Sequence, residues 1–258
     1  MADNDSIGKT LAVTLAVCVV CAVVVSASAV LLRPLQAANQ ANERKENILA
    51  AAGLLEPGIS VDAQFERVET RLVDLDRGAF TDALDPESYD QRRATKDPAL
   101  SEKLSPEQDI AKIQRRVKYA EVFLVRDDQG ELEKVILPIK GYGLWSTLYG
   151  FIALEGDLNT VAGIGFHDHA ETPGLGGEVD NPRWKSLWHG KKVYGEDGQL
   201  ALRVIKGQVD TNRAESTYQV DGLAGATLTS RGVHNLIQYW LGEQGFSPFL
   251  ANLRSGEA

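Results

Sequence analysis

The sequence predicts an α+β protein whose antiparallel sheet hairpins pack against helices, with a single N-terminal transmembrane helix before them. Three observations predict this class. Residues 11–32 contain no charge, residues 119–141 and 150–172 each consist of two apolar runs joined by a polar turn, and residues 229–241 place apolar side chains along one helical face. Two apolar runs around a short polar turn are typical of a β-hairpin, and an amphipathic helix can cover the resulting sheet.

The N-terminal apolar segment is long enough to cross a bilayer, since a spanning helix needs about 20 apolar residues. A cleaved signal peptide is the alternative, because residues 27–29 (Ala-Ser-Ala) resemble a cleavage site. The apolar run continues to Leu32 and only Lys9 brings a positive charge before it, which favours an uncleaved anchor that contacts the lipid bilayer through residues 11–32. The larger number of Lys and Arg residues after the segment weakly favours a C-terminal domain inside the cell.

Residues 33–117 are predicted to form a stalk followed by a helical and irregular region. Residues 35–52 contain good helix formers and would extend the anchor helix outward, until the glycines and proline that follow stop it. Residues 59–77 are predicted as a further short helix. Residues 81–108 are polar and interrupted by prolines, so they are predicted to be irregular.

Residues 118–258 are predicted to be the folded domain that carries the functional site. Besides the two hairpins, this region contains a strand near 200–206 and a short helix that opens at Asn181 and Pro182. Boundaries read from a pattern carry an error of a few residues.

Charge and motif content exclude several classes of function. The formal net charge is −9 and no basic stripe is present, so nucleic acid is not expected as a partner. Cys18 and Cys21 lie inside the anchor and are interpreted as small apolar residues of a membrane helix rather than a metal or redox pair. The sequence lacks the G-x-S-x-G, H-E-x-x-H, Walker A and Rossmann patterns. The site is therefore expected to hold a group that brings its own chemistry, with no catalytic side chain and no metal.

Residues 221–232 (DGLAGATLTSRG) place glycines and hydroxyl residues just before the predicted helix. Gly222 and Gly225 permit backbone angles that other residues avoid, and free N–H groups at a helix start bind anions such as phosphate. The alternative is a plain cap, in which Thr229 or Ser230 accepts hydrogen bonds from the first-turn amides. The pattern alone favours the plain cap.

Residues 167–178 (HDHAETPGLGGE) are a second candidate segment. His167, His169 and Glu171 alternate as they would on one face of a strand, which could bind a metal. An exposed strand end is the better interpretation, because the spacing matches no known zinc site. The glycine-rich loop that follows would let a flat ligand approach the backbone.

Residues 141–150 (GYGLWSTLYG) are a third candidate, because they place three aromatic residues among glycines. Such a cluster can stack on a conjugated ring, or its members can be core aromatics under a hairpin. The sequence does not separate these two possibilities. The aromatic residues are Tyr142, Trp145 and Tyr149.

The stretch DGLAGAT resembles the covalent flavinylation motif, whose fixed points are an Asp and a Gly-Ala-Thr end. The resemblance implies one FMN joined through a phosphoester bond to Thr227, with Gly225 and Ala226 completing the motif. It also implies a dedicated flavin transferase that recognises the position of Asp221. Ala224 stands where Ser or Thr is commoner, but the acceptor hydroxyl is present.

Over essentially the whole chain, the anchor and the stretches GLWSTLYGFIAL and HAETPGLGGEVDNPRW resemble the C-subunit family of the Na⁺-translocating NADH:quinone oxidoreductase. The G-subunit family of the related ferredoxin:NAD⁺ oxidoreductase shares the flavin domain but is usually shorter, so the polar segment 81–108 favours the C-subunit family. Lys206, at a predicted strand end, is an additional candidate neighbour of the flavin. The flavin contacts that the resemblance implies are Glu171, Thr172, Gly174, Leu175, Gly176, Leu144 and Trp145.

The resemblance also implies a function and a location. The flavin would relay electrons one at a time between other subunits of a membrane redox pump, during NADH oxidation by ubiquinone coupled to Na⁺ export. The family places residues 1–10 in the cytoplasm and the flavin domain, residues 118–258, on the periplasmic side of the bacterial inner membrane, opposite to the weak charge count. A membrane-anchored flavin-binding sensor or interaction module without turnover, and a scaffold that binds no flavin, are the alternatives from other classes.

Overall fold

The computed structural model describes residues 6–258, so half of the predicted cytoplasmic segment 1–10 lies outside the described residues. The chain divides into two compact units, one up to Arg44 and one from Lys45 to Ala258. The helices in chain order are α1 (Ile7–Ala51), α2 (Val61–Phe65), α3 (Gln91–Ala94), α4 (Pro182–Ser186), α5 (Thr227–Trp240) and α6 (Ser247–Ser255).

Helix α1 contains the apolar segment and continues through Pro34 to Ala51, so the prediction that residues 35–52 continue the helix is confirmed to within one residue, while their role as a stalk stays a prediction. Within residues 6–258 it is the one helix that is long and apolar enough to cross a membrane, judged by length and composition. Its most apolar window has a mean hydropathy of 2.9, and none of that window is buried against the protein. A long apolar surface without protein cover is what a lipid-facing helix requires.

The second unit is built on a six-stranded sheet in which every neighbouring pair is antiparallel. The strands in chain order are β1 (Val68–Asp74), β2 (Ala79–Thr81), β3 (Ser101–Lys103), β4 (Arg115–Val117), β5 (Tyr119–Arg126), β6 (Leu132–Tyr142), β7 (Thr147–Glu155), β8 (Val161–Asp168), β9 (Arg203–Val204) and β10 (Gln219–Val220). The sheet order is β2-β1-β5-β6-β7-β8. Hairpins β5–β6 and β7–β8 are the two that the sequence predicts, so the α+β class with antiparallel hairpins is confirmed.

The prediction of a helix over residues 59–77 was wrong for most of that length. Only α2 is helical there, and β1 follows it, pairing with β5 from Val68 opposite Val125 to Asp74 opposite Tyr119. The partner strand lies much later in the chain, and local spacing does not reveal such a contact. The sheet therefore includes β1, which precedes residue 118 in the chain. The start of the functional domain at residue 118 stays a prediction.

The two faces of the sheet bury different partners, because successive side chains of a strand point to opposite sides. On one face, Leu137 of β6 lies in the same apolar cluster as Leu236 and Trp240 of α5. On the other face, Ile136 clusters with Ile48 near the end of α1. Helix α5 is thus fixed against the strands whose connecting loops surround the candidate site.

Several short elements differ from the prediction. The helix predicted over 229–241 begins two residues earlier, at Thr227. The strand near 200–206 consists of β9 alone, which pairs in parallel with β10. The segment 81–108 contains the last residue of β2, helix α3 and strand β3 but is otherwise made of turns and irregular backbone, and α6 was not predicted.

Candidate functional site

The start of α5 carries no side-chain cap. Ala226 occupies the cap position and makes no side-chain hydrogen bond. The hydroxyl of Thr229 instead donates to Oε2 of Glu171 at 2.7 Å, and Ser230 donates to the Ala226 carbonyl at 3.0 Å while accepting the N–H of Leu223 at 2.8 Å. The plain cap by Thr229 or Ser230 was therefore the wrong interpretation. Backbone N–H groups at an uncapped helix start, reinforced by the helix dipole, suit a phosphate.

Thr227 is the first residue of α5, and its side chain is exposed. In contrast, Thr229 and Ser230 are buried, with 0% and 7% of their surfaces exposed. Gly225, two residues before Thr227, has a φ of +72°, a backbone conformation that residues other than glycine rarely adopt. Among the three hydroxyl groups at this helix start, only that of Thr227 is accessible to a reacting group.

Glu171 lies in the middle of the site with its carboxylate buried. Its Oε1 atom accepts hydrogen bonds from three successive backbone N–H groups, those of Leu144 at 3.0 Å, Trp145 at 2.9 Å and Ser146 at 3.2 Å. Successive N–H groups that converge in this way form an anion-binding concavity. Here the chain's own carboxylate occupies the concavity, while Thr229 holds the second oxygen.

The pKa of Glu171 reflects both burial and these hydrogen bonds. Burial alone would raise the pKa of the carboxyl, but the hydroxyl of Thr229 and the backbone N–H groups of residues 144–146 outweigh it and hold the pKa below its ordinary value. The carboxylate is therefore charged at neutral pH. Because both oxygens are bonded to the chain, Glu171 is a structural centre of the site.

Two glycines make room for this carboxylate. A Cβ at Gly143 would lie 2.6 Å from Oε1 of Glu171, and a Cβ at Gly176 would lie 2.5 Å from both Oε2 of Glu171 and Oγ1 of Thr229. Neither approach is possible for a real Cβ. Gly176, predicted as a flavin contact, is buried beside the carboxylate.

The loop after Glu171 turns back toward the flavinylation-like motif. The Thr172 carbonyl accepts the N–H groups of Leu175 at 3.1 Å and Gly177 at 2.9 Å, which closes the turn through the exposed Gly174. A Cβ at Gly225 would lie 3.2 Å from Cδ2 of Leu175. The structure therefore brings Leu175 against the segment that ends in Thr227.

Two of the three aromatic residues in segment 141–150 are exposed. Trp145 is 66% exposed and Tyr142 is 38% exposed, so the interpretation of core aromatics was wrong for both. Tyr149 lies under the guanidinium of Arg92, whose carbon is 4.0 Å from the ring centroid. Leu144 is half-buried. Together with the exposed Leu175, Trp145 provides apolar surface close to the glycine-rich loop.

Asp221 uses its side chain and its backbone to hold neighbouring segments. Its Oδ1 accepts the N–H of Val209 at 2.8 Å, and its carbonyl accepts the indole N–H of Trp184 at 2.8 Å. The N–H of Gly222 donates to the carbonyl of Gly207 at 3.0 Å. These bonds place the exposed Lys206 in the loop that lies beside the motif.

The alternating histidines do not form a metal site with Glu171. His169 bonds to Asp180 at 2.7 Å, and His167 stacks on Phe151 with ring centroids 5.1 Å apart. Across the part of the chain that the structure describes, no group of three or more His, Cys, Asp or Glu residues could hold a metal ion.

The structure connects most of the predicted site residues through a few contacts. Glu171 joins Leu144 and Trp145 to α5, and Leu175 meets Gly225. Sequence reasoning missed the role of Thr229 as the partner of Glu171, because that contact joins residues far apart in the chain. Among the described residues, Thr227 makes no hydrogen bond or ring contact with Trp145 or Lys206.

An uncapped helix start beside an exposed threonine and a glycine-rich loop is an arrangement that could hold the phosphate of a planar ligand. A comparison with protein-family models matches residues 143–242 to the FMN-binding domain. This range contains residues 143–150 of the aromatic segment, the loop after Glu171 and α5. Part of the chain thus matches the FMN-binding domain, and its N-terminal helix is long and apolar enough to cross a membrane.

Comparison with curated proteins gives the particular family. The chain is 58% identical to the C subunit of the Na(+)-translocating NADH-quinone reductase of Pseudomonas aeruginosa over 100% of both proteins, and 48% identical to the Yersinia pestis protein of that name over 98% of this chain and 96% of the relative. It belongs to this family of C-subunit proteins.

Solved structures agree with this assignment. The crystal structure of Shewanella oneidensis NqrC matches with a TM-score of 0.77 and 37% identity, over 84% of this chain and 99% of that one. The C subunit of the Na(+)-translocating NADH-quinone reductase from Parabacteroides distasonis matches with a TM-score of 0.64 and 27% identity, over 85% and 96% of the two chains.

Proposed function

We propose that this chain is a flavoprotein subunit of the Na⁺-translocating NADH:quinone reductase that carries one FMN, attached through its phosphate to the hydroxyl of Thr227. The observation that carries the proposal is the exposed Thr227 at the uncapped start of α5, inside the region that matches the FMN-binding domain. The bound FMN would supply one-electron redox chemistry for NADH oxidation by ubiquinone, coupled to Na⁺ export.

The residues around Thr227 suit this ligand. The first N–H groups of α5 would hold the phosphate, with Gly225 and Ala226 shaping the turn before it. Leu144, Trp145 and Leu175 would cover the flavin ring with apolar surface. The remaining proposed neighbours line the same loops: Asp221, Lys206, Glu171, Thr172, Gly174 and Gly176.

The proposal includes a location and partners. Helix α1 would cross the inner membrane once, with the flavin domain on the periplasmic side, where covalent attachment prevents loss of the cofactor. A flavin transferase would attach FMN during maturation, and the other subunits of the pump would donate and accept electrons. No side chain of this chain is required as an acid or base.

In-gel flavin fluorescence tests the attachment. Membranes from cells that make the chain together with a flavin transferase are run on a denaturing gel, with wild type beside Thr227→Ala. We expect a fluorescent band near 28.1 kDa in wild type and none in the variant, because only a covalent bond survives denaturation.

Thr211→Ala is the matched control, since Thr211 is also an exposed threonine but lies outside the motif. It should keep full fluorescence. A dark wild-type band, or equal fluorescence in Thr227→Ala, would contradict attachment at Thr227. If the chain were a sensor or interaction module without turnover, its deletion would leave quinone reductase activity intact, whereas the proposal requires that activity to be lost.

A further inference from the structure

Glu171 differs from the other proposed flavin neighbours because both of its carboxylate oxygens are bonded to the chain. Oε1 receives three backbone N–H groups and Oε2 receives the hydroxyl of Thr229. Only 5% of the residue is exposed. A carboxylate that contacted a ligand directly would need an accessible oxygen, and this one is enclosed on both sides by Gly143 and Gly176.

One carboxylate thereby joins three segments that are separate in the sequence. The connection between β6 and β7, residues 143–146, is called the strap here, and three of its backbone N–H groups donate to Oε1. Oε2 accepts the hydroxyl of Thr229, which lies in the first turn of α5. The loop 172–177 follows Glu171 directly in the chain. Ser146 strengthens the same junction, because its Oγ accepts the N–H of Ala170 at 2.7 Å.

Building on the proposed attachment of FMN at Thr227, we infer that Glu171 is a positioning residue that locks the strap and the loop onto the start of α5 and makes no contact with the flavin. The strap carries the exposed Trp145, and the loop carries Leu175, which meets Gly225. Thr229 lies two residues after the acceptor. The shape of the surface around Thr227 therefore depends on the carboxylate of Glu171, which is buried beneath that surface.

The lock can be measured without any flavin. Amide hydrogen exchange is followed in the full chain in detergent, made without the transferase, at residues 144–146. Glu171→Ala removes the acceptor and leaves three N–H groups unpaired, so their exchange should become roughly tenfold or more faster. Glu171→Gln keeps a carbonyl oxygen in place of Oε1 and should retain most of the protection, since the Thr229 hydroxyl can accept from the new amide group.

Thr229 variants test the second half of the lock. Thr229→Val has a similar shape but no hydroxyl, so it should keep the protection of residues 144–146 and lose the link to α5. Thr229→Ser restores the hydroxyl. When these chains are made with the transferase, we expect the rate of flavin incorporation to fall in Glu171→Ala and Thr229→Val, and to remain near wild type in Glu171→Gln and Thr229→Ser.

Asp157 offers a matched control at the other end of β7. Its carboxylate also accepts two backbone N–H groups, from Asn159 at 2.9 Å and Thr160 at 2.7 Å, as well as the Thr160 hydroxyl. Asp157→Ala should speed exchange in its own turn and leave flavin incorporation unchanged. Loss of incorporation in that variant would mean that general destabilisation explains the Glu171 result, which would overturn the inference.

Two other results would also overturn the inference. One is wild-type amide protection in Glu171→Ala. The other is a Glu171→Gln chain that keeps its protection but incorporates as little flavin as Glu171→Ala, because the charge itself would then act on the flavin or the transferase. Failure of FMN attachment in wild type would defeat the proposed function alone, since the exchange experiment on the apo chain needs no flavin.

Discussion

At the scale of single residues, Asp221 acts in this structure as a hydrogen-bond acceptor. Its Oδ1 fixes the N–H of Val209, and with it the loop that carries Lys206 beside the motif. The flavinylation motif implies that a transferase recognises this position, but the motif does not say whether the charge or the geometry is needed. The contact with Val209 favours geometry, because an uncharged acceptor could make it equally well.

We therefore predict that Asp221→Asn keeps most of the flavin incorporation and that Asp221→Ala loses it. Asparagine retains Oδ1, whereas alanine leaves the N–H of Val209 without its acceptor and should lower the free energy of unfolding by about 1 kcal/mol. In-gel fluorescence measures the incorporation and thermal unfolding measures the stability. An Asp221→Asn chain that folds normally but stays dark would show that the transferase needs the charge.

At the scale of elements, what could be predicted follows from the range of the contacts. Hairpins β5–β6 and β7–β8 were predictable because alternation and turn chemistry are local. Strand β1 was not, because only its pairing with β5 makes it a strand. The start of α5 was placed too late for a similar reason: Thr229 was interpreted as a cap, but its hydroxyl reaches Glu171, a partner that no local pattern shows.

For the candidate site too, local features could be predicted from the sequence and long-range contacts could not. The motif from Asp221 to Thr227 and the loop after Glu171 could be found because their residues are contiguous, and the family match covers both. The carboxylate nest around Glu171 could not be found, because it combines backbone N–H groups of one loop with a side chain from another.

Strand β6 carries two partly buried lysines whose environments differ. Lys140 lies beneath the end of α3, with Nζ 3.0 Å from Oγ1 of Thr95. Burial, and then the nearby charge of Arg92, lower its pKa to about 8, against a smaller opposing effect of Asp109. Because the pKa is lower in the folded chain, the unfolded chain holds more protons between about pH 8 and pH 10.4, and this group makes the free energy of unfolding rise with pH across that window.

We predict that Lys140→Met raises the free energy of unfolding at pH 7 by roughly 1–3 kcal/mol and removes that rise between about pH 8 and pH 10. Thermal unfolding of the full chain in detergent at several pH values is the measurement. Lys134, on the same strand, is the control: burial lowers its pKa, but hydrogen bonds with Glu155 and Glu133 more than compensate and raise it. Lys134→Met should not raise the free energy of unfolding. An equal increase in both variants would contradict the explanation that the lowered pKa of Lys140 causes the effect.

At the scale of the whole molecule, the chain combines a helix suited to a membrane with a folded unit in which residues 143–242 match the FMN-binding domain. The side of the membrane on which that unit lies decides which partners can reach the flavin. The count of Lys and Arg residues favours the cytoplasm weakly, and the family resemblance favours the periplasm. We propose the periplasm, and the cysteine content makes the proposal testable.

Cys18 and Cys21 are the two cysteines of the sequence, and both lie in α1. In a chain with both changed to alanine, a single new cysteine becomes a specific reporter. Asp128→Cys lies in the exposed turn between β5 and β6, and Ser6→Cys lies in exposed backbone before α1. We expect a membrane-impermeant maleimide to label Asp128→Cys in intact cells, and Ser6→Cys only after the inner membrane is opened. The reverse pattern would place the flavin domain in the cytoplasm, where free FMN is available, and covalent attachment would then bring no advantage in retaining the cofactor.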